Sequence, residues 1–260
     1  MCFHTRITST AEEIEDYYNV SRTDKGRELE EELTYYHSNG YDHDDFWVIP
    51  QESSKNITPM VWGLLPPDQA GSDRDVYYKK SIPWGAGLNA QAEKLFTFWQ
   101  YKKVALTRRC IIPVTGFYEP HTCKKPKDYK VPFYFSHQSE PFVNLAGIYS
   151  ITPDRHVSFA ILTKEPEEGS MYAAIHNKKN RDGQHRQVVA FDRYQMGVWL
   201  SKDLDRRAVE DLIKHECSEN FIRANAISKD LFATKINSNY PDIISHQEHP
   251  QLEIPSKWNI

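Results

Sequence analysis

The chain of 260 residues carries 32 Lys and Arg against 36 Asp and Glu, a formal net charge of −4, with 39% hydrophobic residues and a mean hydropathy of −0.68. These figures exclude a membrane-embedded chain and a generally cationic nucleic-acid binder, so any contact with nucleic acid has to come from a local patch. The length allows one large domain or two small ones. Aromatic residues reach 13%, enough to serve a core or a stacking surface. Cys2, Cys110, Cys123 and Cys217 are scattered without a CxxC pair, which predicts neither a disulfide framework nor a zinc site and suits a reducing compartment. The opening MCFHTRITST lacks an apolar signal core, so the expectation is a cytoplasmic protein with no membrane partner.

Met1-Cys2 comes first. A penultimate Cys is small enough for the Met ahead of it to be trimmed, and the new terminus would carry an amine and a thiol on one residue. Such a 1,2-aminothiol forms an imine with an aldehyde and then closes a five-membered thiazolidine. FHTRIT alternates like a strand, and Ser9 to Glu13 offers a helix capping box in either of two registers, with Ile14, Tyr17 and Tyr18 at helical spacing behind it. Residues 22–33 are charged and read as a solvated stretch. Residues 35–50 read as a polar loop leading into a strand; His37, Asp42, His43, Asp44 and Asp45 also invite a metal reading, though their spacing fits no compact ligand set.

Residues 58–66 are an apolar run ending at Pro66, a buried strand, and 67–85 form a long connection. From Asn89 to Trp99 the apolar residues Ala92, Leu95, Phe96 and Trp99 share one face, which predicts a helix with Asn89 as its N-cap. Residues 108–120 read as one central strand with Glu119 at its end, either exposed or partly buried with a raised pKa. Lys124, Lys125, Lys127 and Lys130 mark a hairpin connection. Strand-like runs begin at Val131, Phe142 and His156, and their short spacing suggests an antiparallel, β-rich core.

Residues 170–176 read as a short helix with His176 at its end, a position that the helix dipole favours and that also suits an acid/base group. Lys178, Lys179, Arg181 and Arg186 make the clearest basic loop in the chain. A strand over 187–191 and helices over 192–200 and 206–217 follow, and residues 218–260 mix a short strand with a tail containing Pro and His. No repeat or domain boundary is visible, so residues 1–260 are read as one domain.

Taken together, several separated segments resemble the SRAP (SOS response-associated peptidase) family. They are Met1-Cys2, Trp62-Gly63-Leu64-Leu65-Pro66, Leu88-Asn89-Ala90-Gln91-Ala92-Glu93, Arg109 to Pro113 leading into Gly116-Phe117-Tyr118-Glu119, Phe142 to Tyr149, and Ile175-His176-Asn177. They run in the family order across most of residues 1–200. The resemblance implies an α+β fold, a β-rich domain with a largely antiparallel, barrel-like sheet core and peripheral helices. It also implies a monomer without cofactor or metal, acting on abasic sites in single-stranded DNA. Carried over residue by residue, Cys2 would capture the ring-opened sugar aldehyde, Asn89 would orient the amine or the sugar, Glu119 would shuttle protons, and His176 would donate a proton to open the sugar ring. The same residues are implicated in removal of the N-terminal Met. Four departures concern the DNA grip. Gln91 replaces the family Arg, Pro120 replaces a Trp, His4 stands where many members carry Arg, and Arg186-Gln187-Val188 resembles a displaced form of the segment after the family His. His4, Gln91, Lys178, Lys179, Arg181 and Arg186 are therefore the candidate DNA contacts. Two other readings remain open, a hydrolase that uses Cys2 as an N-terminal nucleophile on amides, and a binding module whose chemistry has decayed.

Overall fold

The computed structural model describes residues 2–124, 129–180, 182–216, 218–250, 252 and 254. Met1, Lys125, Lys127, Arg181 and Cys217, all singled out above, lie outside the described residues. The strands in the first half are β1 His4–Ile7, β2 Ser21–Arg22, β3 Tyr35–Asn39, β4 Asp45–Pro50, β5 Asn56–Trp62, β6 Asn89–Gln91 and β7 Arg109–Val114. Those in the second half are β8 Gly116–Cys123, β9 Tyr129–His137, β10 Val143–Ile151, β11 Val157–Lys164, β12 Gln187–Val188, β13 Ala190–Phe191 and β14 Ile222–Ala226. Around them lie helices α1 Ala11–Tyr18, α2 Asp24–Arg27, α3 Arg74–Ser81, α4 Met171–Ile175, α5 Arg193–Trp199 and α6 Arg206–Lys214.

Strands β5, β4, β7, β10 and β11 pair in that order, and the parallel contact of β11 with β5 (Ser158 opposite Val61, Phe159 opposite Trp62) closes them into a five-stranded barrel. Every other pairing round the ring is antiparallel. Closure leaves this ring without a raw edge, and apolar residues fill it. Trp62 and Phe159 stack at 6.4 Å with Phe46 edge-on to both, and the Trp62 indole N–H donates to Leu88 O at 2.9 Å. The β-rich α+β class and its barrel-like core are as expected from the sequence.

A second sheet, in the order β14-β9-β8-β1-β3, lies against the barrel. One residue, Thr115, carries the chain from β7 in the barrel to β8 in this sheet, and its N–H donates to Arg6 O on β1. Gly116 follows because a Cβ there would sit 2.4 Å from Phe135 O. Residues 108–120 are therefore two strands in two sheets, and Glu119 lies in the middle of β8 rather than at a strand end.

Two further expectations change. The segment beginning at Asn89 is not a helix. Residues 89–91 form β6, which pairs in parallel with β11 (Asn89 opposite Ile161, Gln91 opposite Thr163), and only a 3-10 turn over Ala92–Lys94 follows. The open edge of β11 beyond its contact with β5 recruits these residues, and sheet pairing outweighs their helical spacing. The His- and Asp-rich tract over 35–50 does lead into a strand, β4, but it opens on another, β3, rather than on a loop. Elsewhere the local signals hold. Thr10 caps α1 in a full capping box with Glu13, Ser170 caps α4, and Asp192 caps α5.

Candidate functional site

Strand β8 pairs with β9 along its whole length, but with β1 only from Gly116 to Tyr118. Beyond Tyr118 its other edge is open. A cleft of about 260 Å³ lies there, lined by Phe3, His4, Glu119, Thr122, Lys130, His176, Lys178, Lys179 and Phe232, with Arg186 beneath.

Four residues from four parts of the chain meet at or beneath this cleft. Cys2, just ahead of β1, is fully buried, and its thiol faces His4 O at 3.6 Å. Burial, and then the nearby charge of Glu119, push the thiol pKa well above its usual value. Asn89, on β6, donates from its side-chain amide to Cys2 O at 2.8 Å, while Asn89 O accepts from the Tyr101 hydroxyl at 3.1 Å. The Asn89 Oδ1 is buried and has no hydrogen-bond partner among the described residues.

Glu119 is 2% exposed, and His176 Nδ1 lies 2.9 Å from its Oε2. Its other oxygen, Oε1, is buried and meets no donor among the described residues. The Glu119 pKa lies below its ordinary value: burial opposes ionisation, and nearby positive charge, that of His176 first, more than offsets it. Neither expectation for Glu119, exposed or buried with a raised pKa, describes this carboxylate, which is buried and ionised. His176 caps the C-terminus of α4, as its sequence position suggested.

The candidate DNA contacts divide. Lys178 and Lys179 are exposed at the rim of the cleft. Gln91 ends β6 opposite Thr163. His4 points its Nδ1 at His37 Nε2, 2.8 Å away, and His37 Nδ1 meets Ser238 Oγ at 2.5 Å. Burial holds both imidazoles down, His4 to about 3 and His37 to about 4, so neither offers a phosphate a positive charge near neutral pH. Arg186 is more deeply set. It is 1% exposed, with its terminal nitrogens spent on Glu93 at 2.9 and 3.0 Å and on Thr163 O at 2.6 Å. This arginine lines the cleft from a buried position and ties the turn after β6 to β11 through Glu93 and Thr163.

Thr122, Lys130 and Phe232 were not foreseen as part of the site. Phe232 carries no local signal at all, because it arrives from a 3-10 turn more than a hundred residues beyond Glu119. His37 belonged to the suspected metal tract, but it serves His4, while His43 Nδ1 meets Trp62 O at 2.7 Å. Among the described residues no group of three or more His, Cys, Asp or Glu is placed to hold a metal ion, and no helix is long and apolar enough to cross a membrane.

A model of the family described as SOS response associated peptidase (SRAP) matches residues 1–234. The chain belongs to the SRAP family. This SRAP chain is 30% identical over 125 residues to proteins named abasic site processing protein YoqW from Bacillus subtilis (strain 168) and Bacillus phage SPbeta, covering 46% of this chain and 51% of theirs. It is 31% identical over 102 residues to the abasic site processing protein YobE of Bacillus subtilis (strain 168), covering 39% of this chain and 42% of that one. The chain thus spans about half the length of the curated relatives it matches. In fold, the SRAP chain resembles a solved protein from Bacteroides thetaiotaomicron, with a TM-score of 0.76 at 24% identity, over 95% of this chain and 100% of that one. A second, from Bordetella bronchiseptica, has a TM-score of 0.61 at 16% identity, over 87% and 100% of the two chains.

Proposed function

We propose that this protein processes abasic sites in single-stranded DNA by capturing them covalently on Cys2 once Met1 has been removed. The observation that carries the reading is the bond of Asn89 to the Cys2 carbonyl just behind Phe3 and His4, in the wall of the cleft that the buried Glu119–His176 pair also lines. The matching relatives named for abasic-site processing support the substrate class.

The chemistry follows from the groups present. An abasic deoxyribose is reactive only as its open-chain aldehyde, and His176 at the cleft is placed to give the ring oxygen the proton that opening requires. The freed amine of Cys2 adds to the aldehyde and loses water, leaving an imine. The thiol then adds to the imine carbon, and its proton passes through Glu119 to the nitrogen, closing a thiazolidine. One aldehyde and one aminothiol thus give one ring and one water. Because burial holds the thiol protonated, the amine attacks first and the sulfur follows within the same residue, where proximity replaces thiolate reactivity. A protonated thiol is a poor nucleophile toward an amide, which disfavours a general Cys hydrolase. Glu119 and His176 also suit removal of Met1 by the protein itself and slow reversal of the linkage. Lys178 and Lys179 supply the local positive charge that the overall −4 does not.

The test is a denaturing gel of the protein mixed with a single-stranded oligonucleotide bearing one abasic site. A stable shifted band is expected, and it should vanish for Cys2→Ala. Protein with a free Cys2 amine that gives no such band would refute the proposal.

A further inference from the structure

The turn that carries His176 is tied to β8 by a side chain with no evident reason to be there. His176 has φ −82° and ψ 64°, and the N–H of Asn177 donates to Ile175 O at 2.9 Å. That is an inverse γ-turn with His176 at its apex, a conformation with one short-range hydrogen bond of its own. The turn is also held by the His176 N–H, which donates to Tyr172 O at 2.9 Å, and by His185 Nδ1, which meets His176 O at 3.0 Å.

The Asn177 amide meets the open edge of β8 where β1 no longer covers it. Its Oδ1 accepts from Thr122 N at 2.9 Å, and its Nδ2 donates to Thr122 O at 2.9 Å. A strand neighbour would make the same two bonds, so one side-chain amide stands in for a residue of the missing strand. The second Nδ2 hydrogen points to His121 Nε2 at 3.4 Å, and His121 Nδ1 meets Ala174 O and Ile175 O, both at 3.1 Å. One tautomer satisfies the whole set: His121 neutral, with Nδ1–H donating to the carbonyls and Nε2 accepting. Burial, which lowers the His121 pKa, favours that neutral form. Every polar atom of the Asn177 side chain is thereby used, and its amide orientation is fixed by Thr122.

We infer that Asn177 is a positioning residue, whose side-chain amide completes the open edge of β8 at Thr122 and so fixes the imidazole of His176 against Glu119. Thr122 lies three residues along the same strand from Glu119, and Asn177 is the residue after His176. The two Thr122 bonds therefore set the spacing of the pair from both sides. As it bears on catalysis, this inference rests on the capture chemistry proposed above; as it bears on the Glu119–His176 contact, it stands on geometry alone. Glu119 also lies in the field of His4, Cys2 and Tyr172, and Asn177 bonds to none of the three.

Two readouts on Asn177→Ala and Asn177→Gln test it. The first is the rate of linkage to an abasic single-stranded oligonucleotide, per folded molecule. The second is the carboxyl titration of Glu119 followed by carbon NMR. Asn177→Ala is expected to slow linkage by about tenfold to a hundredfold, as displacing a reacting group by about an ångström does. It should also raise the Glu119 midpoint by about one pH unit or more, because burial remains while the His176 charge recedes. The longer Gln retains donor and acceptor and should partly restore both; if the Ala protein does not fold, Gln alone should still show a slower rate and a raised midpoint. A lowered melting temperature with the Glu119 midpoint and linkage rate of wild type would overturn the inference. If wild-type protein forms no linkage at all, the proposed function fails, and the Glu119 titration still decides the role of Asn177.

Discussion

Replacing Glu119 by Gln separates chemistry from stability more cleanly than any other change at the cleft. Gln keeps the volume and one oxygen but cannot take up a proton. A general acid/base group contributes about a hundredfold to ten-thousandfold, so linkage by Glu119→Gln should slow by that factor, about 3–5 kcal/mol of barrier at about 1.4 kcal/mol per decade. The fold should notice far less. Burial is the largest influence on the Glu119 carboxyl and works against its charge, while His176 at 2.9 Å works for it. Removing the charge relieves the first and forfeits the second, so the two changes oppose each other. A stability change of about 2 kcal/mol or less follows, about 4–8 °C in melting temperature for a chain of this size. The assay is a time course of the covalent band on a denaturing gel beside a thermal melt. Linkage at the wild-type rate, or a melting temperature lowered by much more than that range with the activity loss explained by unfolding, would refute the reasoning.

The remaining predictions concern the grip, the tie beneath it and pH. In a Cys2→Ala background, where binding is non-covalent, Lys178→Ala combined with Lys179→Ala should flatten the salt dependence of single-stranded DNA binding by about 1.4 in log–log slope, if each lysine holds one phosphate. Arg186→Ala should cost about 2–3 kcal/mol by breaking its bonds to Glu93 and Thr163, and in the same background it should leave that salt slope unchanged. A slope change would return Arg186 to the DNA interface. On acidification, Glu119 and Glu93 both have carboxyl pKa values held below the ordinary one. Their contribution is therefore complete above the unfolded value of about 4.3 and is lost as pH falls through the folded values. Melting temperature should hold above about pH 7 and begin to fall below about pH 6.5, where the unfolded chain protonates His4 and His37 while burial keeps their folded values at about 3 and about 4. It should fall further below about pH 4, with Asp154, held at about 2 by Thr152 and the Gly71 and Ser72 N–H groups, among the last to protonate. A melting temperature unchanged from about pH 7 down to about pH 4 would contradict this.

Much of this was legible in sequence where a local rule governs. The capping box of α1, the short helix α4 ending at His176, the strands from Val131 onward and helices α5 and α6 all follow from composition and spacing. What was not legible depends on partners far along the chain. Asn89 has the side chain of a helix N-cap and the apolar spacing of a helix behind it, yet the free edge of β11 claims it as a strand. Glu119 looked like a strand-end residue because 108–120 is apolar throughout, and only the approach of Phe135 at Gly116 shows where one sheet stops and another begins. Arg186 sits in a run of basic residues like any solvated loop, and its burial depends on Glu93, ninety-three residues earlier. The four residues of the proposed chemistry could be named from the family resemblance. Their support by Asn177, His121 and Tyr101 could not, since no spacing rule connects them.

The burial of Cys2 also sets a clock on biosynthesis. Strand β1 can dock only once its partners β3 and β8 exist, and β8 ends at Cys123. At about 5–20 residues per second the ribosome needs roughly 6–25 s to reach that point. Throughout that interval the residues around Cys2 have no sheet to join, and on the capture chemistry proposed above this is when an aminopeptidase would free the Cys2 amine. After docking, the Cys2 carbonyl is held by Asn89 and its thiol is closed off, and a processing enzyme would have to compete with the fold for its substrate. Slowing or speeding elongation over the first hundred or so codons should therefore change the fraction of molecules that mature by outside help.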